Sequence, residues 1–234
     1  DDRLGNYRFA VLFTLRRRRP GIRKYYAGWR TYTLMAGGNI RYLLELVGQA
    51  LLLQRRDGGS SIGDPIRPEL QTLAATQVGR KNLSELEGLS VHGAQLTKLL
   101  LGLGRVFEVL ASEPEGHTPE VTQFSLPDDA PLGDAEQLLA AAVMHLALVR
   151  SVANKRMDLD LKGYDYSVHP IYSAFFVFSY RRKRKLKLTP NQLMALVREP
   201  KVGIRQILRQ NNRGEGNYPL PDQLRLFEGF YDAD

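Results

Sequence analysis

The 234-residue chain contains no cysteine, one tryptophan and only four histidines. Without cysteine there are no disulfides, no Cys-ligated zinc or iron–sulfur cluster and no thiol nucleophile; this absence fits a cytoplasmic protein. The histidines, His92, His117, His145 and His169, are isolated from one another, with no H-x-x-x-H pair and no carboxylate at zinc-ligand spacing. No metal is therefore expected to be ligated by this chain alone. Asp158-Leu159-Asp160 begins as a calcium loop begins, but no closing glutamate follows. Long apolar runs are missing too. Even residues 40–53 are broken by Arg41, Glu45 and Gln49, short of the ~20 apolar residues that cross a bilayer. The opening segment ends in charge instead of beginning with it, unlike a signal peptide. No membrane partner is expected.

Also missing is any G-x-x-x-x-G-K-[ST] sequence. Residues 58–64 are glycine-rich but have neither the lysine nor the spacing to cradle phosphates. The chain alone cannot be a P-loop ATPase, and nothing in the sequence identifies a base for a serine nucleophile. No complete catalytic motif is present, so the chain by itself reads as a binder or regulator. Its start at Asp1-Asp2 suggests part of a longer protein.

What is present is positive charge: 33 Lys and Arg against 25 Asp and Glu, for a formal net charge of +8. Such an excess favours a polyanion such as nucleic acid as partner. Charged residues at 25% and hydrophobic ones at 43% are ordinary for a folded globular chain.

Apolar spacing is mainly helical. A helix is expected over 4–19, closed by Arg16 to Arg19 and Pro20-Gly21, followed by a basic aromatic stretch over 23–30 and a short helix through Met35 that stops at Gly37-Gly38. Asn39 is placed to cap a helix over 40–53 whose Ile40, Leu43, Leu44, Val47, Ala50 and Leu51 share one face. Residues 54–68, with two arginines, paired glycines and serines, Pro65 and Pro68, read as a linker. This divides the chain into a small helical unit, 1–54, and a larger one, 65–234. Beyond it, helical spacing over 69–78, around Leu83 to Leu89, and over 96–110 predicts three helices of a helix-turn-helix core. Residues 121–126 alternate as a strand, and 135–152 read as a helix. The alternating segments 163–168 and 184–188 are expected to pair as a β-wing across the aromatic loop 169–180. Thr189-Pro190 opens a helix to 197, Pro200 another to 208, and 220–230 is a final amphipathic piece.

The densest local charge is Arg181, Arg182, Lys183, Arg184, Lys185 and Lys187, entering a strand. Cations on a β-ribbon edge suit a phosphate backbone, the reading the net charge favours; the other reading is an edge strand kept from aggregating by lysine. A second cluster, Arg16 to Arg19 with Arg23 and Lys24, is interleaved with Tyr25, Tyr26 and Trp29, which could stack bases. Tyr172, Phe175, Phe176, Phe178 and Tyr180 are crowded as core or as an interface.

The run Met35-Ala36-Gly37-Gly38-Asn39-Ile40-Arg41-Tyr42-Leu43-Leu44-Glu45-Leu46 resembles the sensor-2 segment in the lid of AAA+ ATPases, in the replication-initiator and origin-recognition branch and related signal-transduction ATPases. There a glycine-asparagine turn opens a lid helix whose arginine reaches nucleotide phosphate. A cation in the first turn of a helix opposes the dipole unless an anion lies before it, so the resemblance makes Asn39 and Arg41 the nucleotide contacts. ATP or ADP is expected only together with an ATPase core supplied by missing sequence or another subunit. In that branch a winged-helix domain follows the lid. The fold class expected is thus mainly α: a small helical lid, then a winged helix-turn-helix domain with a short β-wing. The function expected is the regulatory and DNA-binding C-terminal portion of an AAA+ ATPase, with duplex DNA as partner. Two alternatives stand beside it. One is a protein-interaction or oligomerisation module of a signalling or defence ATPase, docking through the aromatic loop and 220–230. The other is an RNA-binding protein using Tyr25, Tyr26 and Trp29.

Overall fold

A computed structural model of the chain describes residues 22, 24–58, 63–112, 120–127, 131–152, 163–211 and 219–232. The helix expected over 4–19, Arg16 to Arg19 and Arg23, and most of the turn-rich tail after 211 lie outside the described residues. The fold is mainly helical with one small sheet, as the periodicity implies. In chain order the elements are helices α1 (Trp29–Ala36) and α2 (Ile40–Arg56), then α3 (Pro68–Glu87) and α4 (Gly93–Ser112). Strand β1 (Val121–Ser125), helix α5 (Asp134–Met144) and strands β2 (Leu148–Val152) and β3 (Tyr164–Val168) follow. A 3₁₀ turn (Pro170–Tyr172) and a single helical turn, α6 (Ser173–Phe176), lead to β4 (Arg184–Lys187). Helices α7 (Pro190–Arg198) and α8 (Pro200–Gln210), a 3₁₀ turn (Asp222–Phe227) and α9 (Glu228–Tyr231) complete it.

Helix α4 is the centre. Every residue from Leu99 to Ala111 is buried, the signature of a helix surrounded by others. Helices α3, α5, α7 and α8 and one face of the sheet pack around it. Its glycines let neighbours close in: a Cβ on Gly104 would lie 2.3 Å from the Phe176 ring. Phe175, Phe176, Phe178 and Tyr172 are buried almost completely, so the aromatic loop is core and offers no docking surface.

Three expected elements differ. Residues 69–89 are not two helices: α3 runs unbroken to Glu87, since the expected break holds no proline and its one glycine, Gly79, costs only about 1 kcal/mol. The helix expected to reach 152 stops at Met144. Leu146 adopts φ 55°, and the β-branched Val149 and Val152 continue as strand. The segments 164–168 and 184–187 do not pair with each other. The sheet order is β2-β3-β1-β4, with β3 antiparallel to both β2 and β1, and β4 parallel to β1. β1 supplies the alternating partner: Phe124, Tyr166, Leu148, Val168 and Leu186 turn to the helices, leaving Gln123, Ser125, Asp165, Ser167, Lys185 and Lys187 on the other face.

Across 54–68, α2 and α3 pack against one another, and buried residues on both sides belong to one apolar cluster. Gln54 Nε2 donates to the Asp64 carbonyl at 3.0 Å, and Arg67 pairs with Asp57.

The inward face of α2 is only partly the expected one. Tyr42, Leu46, Ala50 and Gln54 are buried, whereas Ile40 and Leu44 are 66% and 65% exposed. The helix carries two apolar stripes. The one with the larger side chain, Tyr42, packs edge-on to His169 with ring centroids 5.2 Å apart; of the stripe picked out by periodicity, Ala50 is buried and Leu43 and Val47 pack partly against the core, while Ile40 and Leu44 face outward.

Candidate nucleotide and nucleic-acid surfaces

Helix α1 ends in Gly37 (φ 58°) and Gly38 (φ 86°), the left-handed conformations that glycine adopts without strain. Asn39 then caps α2, its Oδ1 accepting from the Arg41 backbone N–H at 3.0 Å. This turn is seated on the body of the protein: a Cβ on Gly37 would lie 2.7 Å from His169 Nε2.

The Arg41 side chain is 57% exposed and reaches α3. Its Nη2 donates to Asn82 Oδ1 at 3.2 Å, Nη1 lies 3.5 Å from Glu85 Oε2, and Nε lies 3.7 Å from Glu45 Oε1. Lys81 Nζ is 3.0 Å from both Glu45 Oε1 and Glu85 Oε1, and Asn82 Nδ2 donates to Glu45 Oε2 at 2.8 Å. Burial works to raise the Glu45 carboxyl, but hydrogen bonds from Asn82 and Lys81 and the nearby cations outweigh it and hold it below its ordinary value. Two cations and two carboxylates thus form a neutral, partly exposed network. An incoming phosphate would have to draw Arg41 away from Glu85 and Glu45.

The cations of residues 181–187 sit at the open edge of the sheet. Their backbone is fixed to β1: Thr122 Oγ1 accepts from Lys183 N at 2.9 Å and donates to the Arg181 carbonyl at 3.1 Å, while Gln123 Nε2 donates to the Lys183 carbonyl at 2.6 Å. Arg182, Arg184, Lys185 and Lys187 are exposed, and Lys183 is half-buried. Arg181 lies against the Tyr180 ring at 5.6 Å, and Lys185 Nζ pairs with Asp165 Oδ1 at 2.8 Å. Residues 184–187 are therefore an edge strand, preceded by 181–183 bonded to β1, and not one arm of a hairpin.

Of the other basic cluster, Arg16 to Arg19 and Arg23 lie outside the described residues, and its aromatics divide between core and surface. Tyr26 is buried, its hydroxyl donating to the Phe178 carbonyl at 2.6 Å. Lys24 is buried against Glu120, where desolvation lowers its ammonium despite the carboxylate. Tyr25 and Trp29 remain exposed.

Two features escaped sequence reasoning. Residues 59–63 have the spacing G-x-S-x-G, but they connect helix α2 to helix α3, whereas a nucleophile elbow joins strand to helix. Helix α8 carries Val202, Arg205, Gln206 and Arg209 on its solvent side; the four-residue recurrence of Lys201, Arg205 and Arg209 was the available signal. Among the described residues, no three His, Asp or Glu side chains gather as a metal site, and no helix is long and apolar enough to cross a membrane.

A protein-family model described as ORC-CDC6-like matches residues 1–188. No curated protein and no solved structure matches the chain.

Proposed function

The chain belongs to the ORC-CDC6-like family, related to AAA+ ATPases, and from that premise we propose that it is the regulatory, nucleic-acid-binding portion of such an ATPase. In this reading α1 and α2 act as the lid, and Arg41, presented after the Asn39 cap, takes nucleotide phosphate from an ATPase core. The observation that carries it is a short open apolar stripe at the start of α2, Ile40 and Leu44. A helix apolar on two sides is built to be covered on both, and here Ile40 and Leu44 are left open. Arg41 and Leu44 are three residues apart, hence neighbours on the helix surface. A core docked on that stripe brings its bound ATP or ADP beside Arg41. The division into 1–54 and 65–234 is part of the same proposal, with α2 serving both bodies.

The second half of the proposal is duplex DNA. An antiparallel β1-β3-β2 arrangement in which α5 leads into the β2–β3 hairpin supports a winged-helix domain. The helix in the position of a recognition helix is acidic, however, with Asp134 and Glu136 in its first turn and no Lys or Arg. Phosphate contact is therefore assigned to Arg181, Arg182, Lys183, Arg184, Lys185 and Lys187 on the sheet edge. An interaction or oligomerisation module is the second reading, favoured by the same open stripe on α2; an RNA-binding role has lost Tyr26 as a platform.

The test is co-expression with the ATPase core and retention of labelled ATP or ADP. Arg41→Ala is expected to keep the complex but lower nucleotide affinity roughly tenfold, the worth of one charge-assisted contact at about 1.5 kcal/mol. Leu44→Asp is expected to lose the complex. Unchanged nucleotide retention in Arg41→Ala refutes the lid assignment; self-association of the chain through this stripe would favour the oligomerisation reading.

A further inference from the structure

Helix α8 follows α7 after a single residue, Glu199, and both begin with proline at the first helical position. A capping box of Thr189 and Gln192 starts α7, and Gln192 Nε2 donates to Gln210 Oε1 at 2.7 Å, joining the start of α7 to the end of α8. The pair rests on α4, burying Leu193, Leu196, Ile204, Ile207 and Leu208. The opposite side of α8 is open. Val202 is 47% exposed, and Arg205, Gln206 and Arg209 are exposed beside it. Helix α8 itself contains Lys201, Arg205 and Arg209 and no carboxylate. The positions recur every four residues, so the cations follow one side of the helix at steps of about 6 Å.

We propose that the open face of α8 is a second nucleic-acid-binding surface, taking the major groove of duplex DNA. The composition is that of a groove-facing helix. Lys201, Arg205 and Arg209 supply cations for phosphates, Gln206 is an amide able to meet a base edge, and Val202 is an apolar group of the size that contacts a thymine methyl. The acidic face of α5 cannot serve this purpose, and the cations at the sheet edge stand on a strand with no helix among them. A rigid helix on a two-helix platform is also precise in position. Duplex RNA is excluded as the preferred ligand because its major groove is too deep and narrow for a helix. This inference rests on the nucleic-acid reading above, but on residues beyond the family match, which ends at Leu188.

The experiment is fluorescence anisotropy with labelled duplex DNA and duplex RNA across a salt series, using the whole chain. Variants are Arg205→Gln, Arg205→Gln with Arg209→Gln, and a sheet-edge variant with Ala at Arg182, Arg184 and Lys187; circular dichroism checks folding. For the double glutamine variant the slope of log affinity against log salt is expected to fall by about 1.8, two phosphate contacts at about 0.9 each, or roughly thirtyfold in affinity near 0.15 M salt. Arg205→Gln alone is expected to lose about half of that slope change. Wild-type affinity in the folded α8 variants overturns the inference; if the sheet-edge variant alone loses binding, the general reading survives without it. Loss confined to the α8 variants supports the inference and removes the sheet edge from the account. Equal binding of duplex RNA, or no binding by wild type at low salt, overturns it.

Discussion

Acid should loosen this protein through His169, and the expected loss can be worked from the geometry. His169 is 2% exposed, between the Gly37 turn, the Tyr42 ring and the Pro170–Tyr172 turn, whose Ile171 N–H donates to His169 Nδ1 at 3.2 Å. That bond requires an unprotonated Nδ1, and burial lowers the imidazole to about 4. In the unfolded chain it titrates near 6.5. The folded state therefore binds fewer protons, so stability is full above pH 6.5 and falls as pH drops from there toward 4. Between about pH 7.5 and about pH 5 the loss comes to roughly 2 kcal/mol. Neighbouring Tyr42 and Tyr172 are both raised by burial and stay neutral throughout. Glu45, held below its usual value, adds a further loss only below about pH 4.5. Urea unfolding at the two pH values measures the difference. His169→Asn is the companion variant, because its Oδ1 can still accept from the residue two positions on yet does not titrate. The variant should be nearly flat across this window. Equal pH dependence in wild type and variant would refute the reasoning.

Three further substitutions test the packing. Gly104→Ala sets a Cβ into the Phe176 ring and should cost about 1–3 kcal/mol or more, read as a lowered urea midpoint with unchanged helix content. Thr97→Val removes a buried hydroxyl with no hydrogen-bond partner; a gain of about 1 kcal/mol is expected, and a loss would show that the hydroxyl is solvated. Lys24→Met takes the ammonium from the buried Glu120 and should destabilise by about 3 kcal/mol, with much of that recovered when Glu120→Gln is added; an additive double variant would contradict the pairing.

Local chemistry was legible in the sequence. The Gly37-Gly38-Asn39 turn, the Asn39 cap and the Thr189-Pro190 helix start depend on neighbouring residues and appear where the residue types require them. Partner choice was not legible. Residues 164–168 and 184–187 each alternate as strands, but periodicity does not say that β1 inserts between them. On α2 the sequence could not tell that Tyr42 and Leu46 join Ala50 inward while Ile40 and Leu44 are left open. Arg41 was found through the resemblance carried by residues 35–46, supported by its place at the helix start, whereas Glu85 and Asn82, which hold it, lie more than forty residues away and could be known only from the packing. For α8, the four-residue recurrence of cations was visible but carried no meaning until the opposite face was seen buried on α4.

The central claim is that the basic edge of this ORC-CDC6-like chain contacts duplex DNA. Titration of labelled duplex against the wild type and a variant with Ala at Arg181, Arg182, Lys183 and Arg184, at several salt concentrations, measures this directly. The account predicts binding that weakens steeply with salt in the wild type and a slope shallower by about 3.6 in the variant, if all four cations meet phosphates. Wild-type binding that is absent even at low salt, or a slope unchanged in the folded variant, would contradict it.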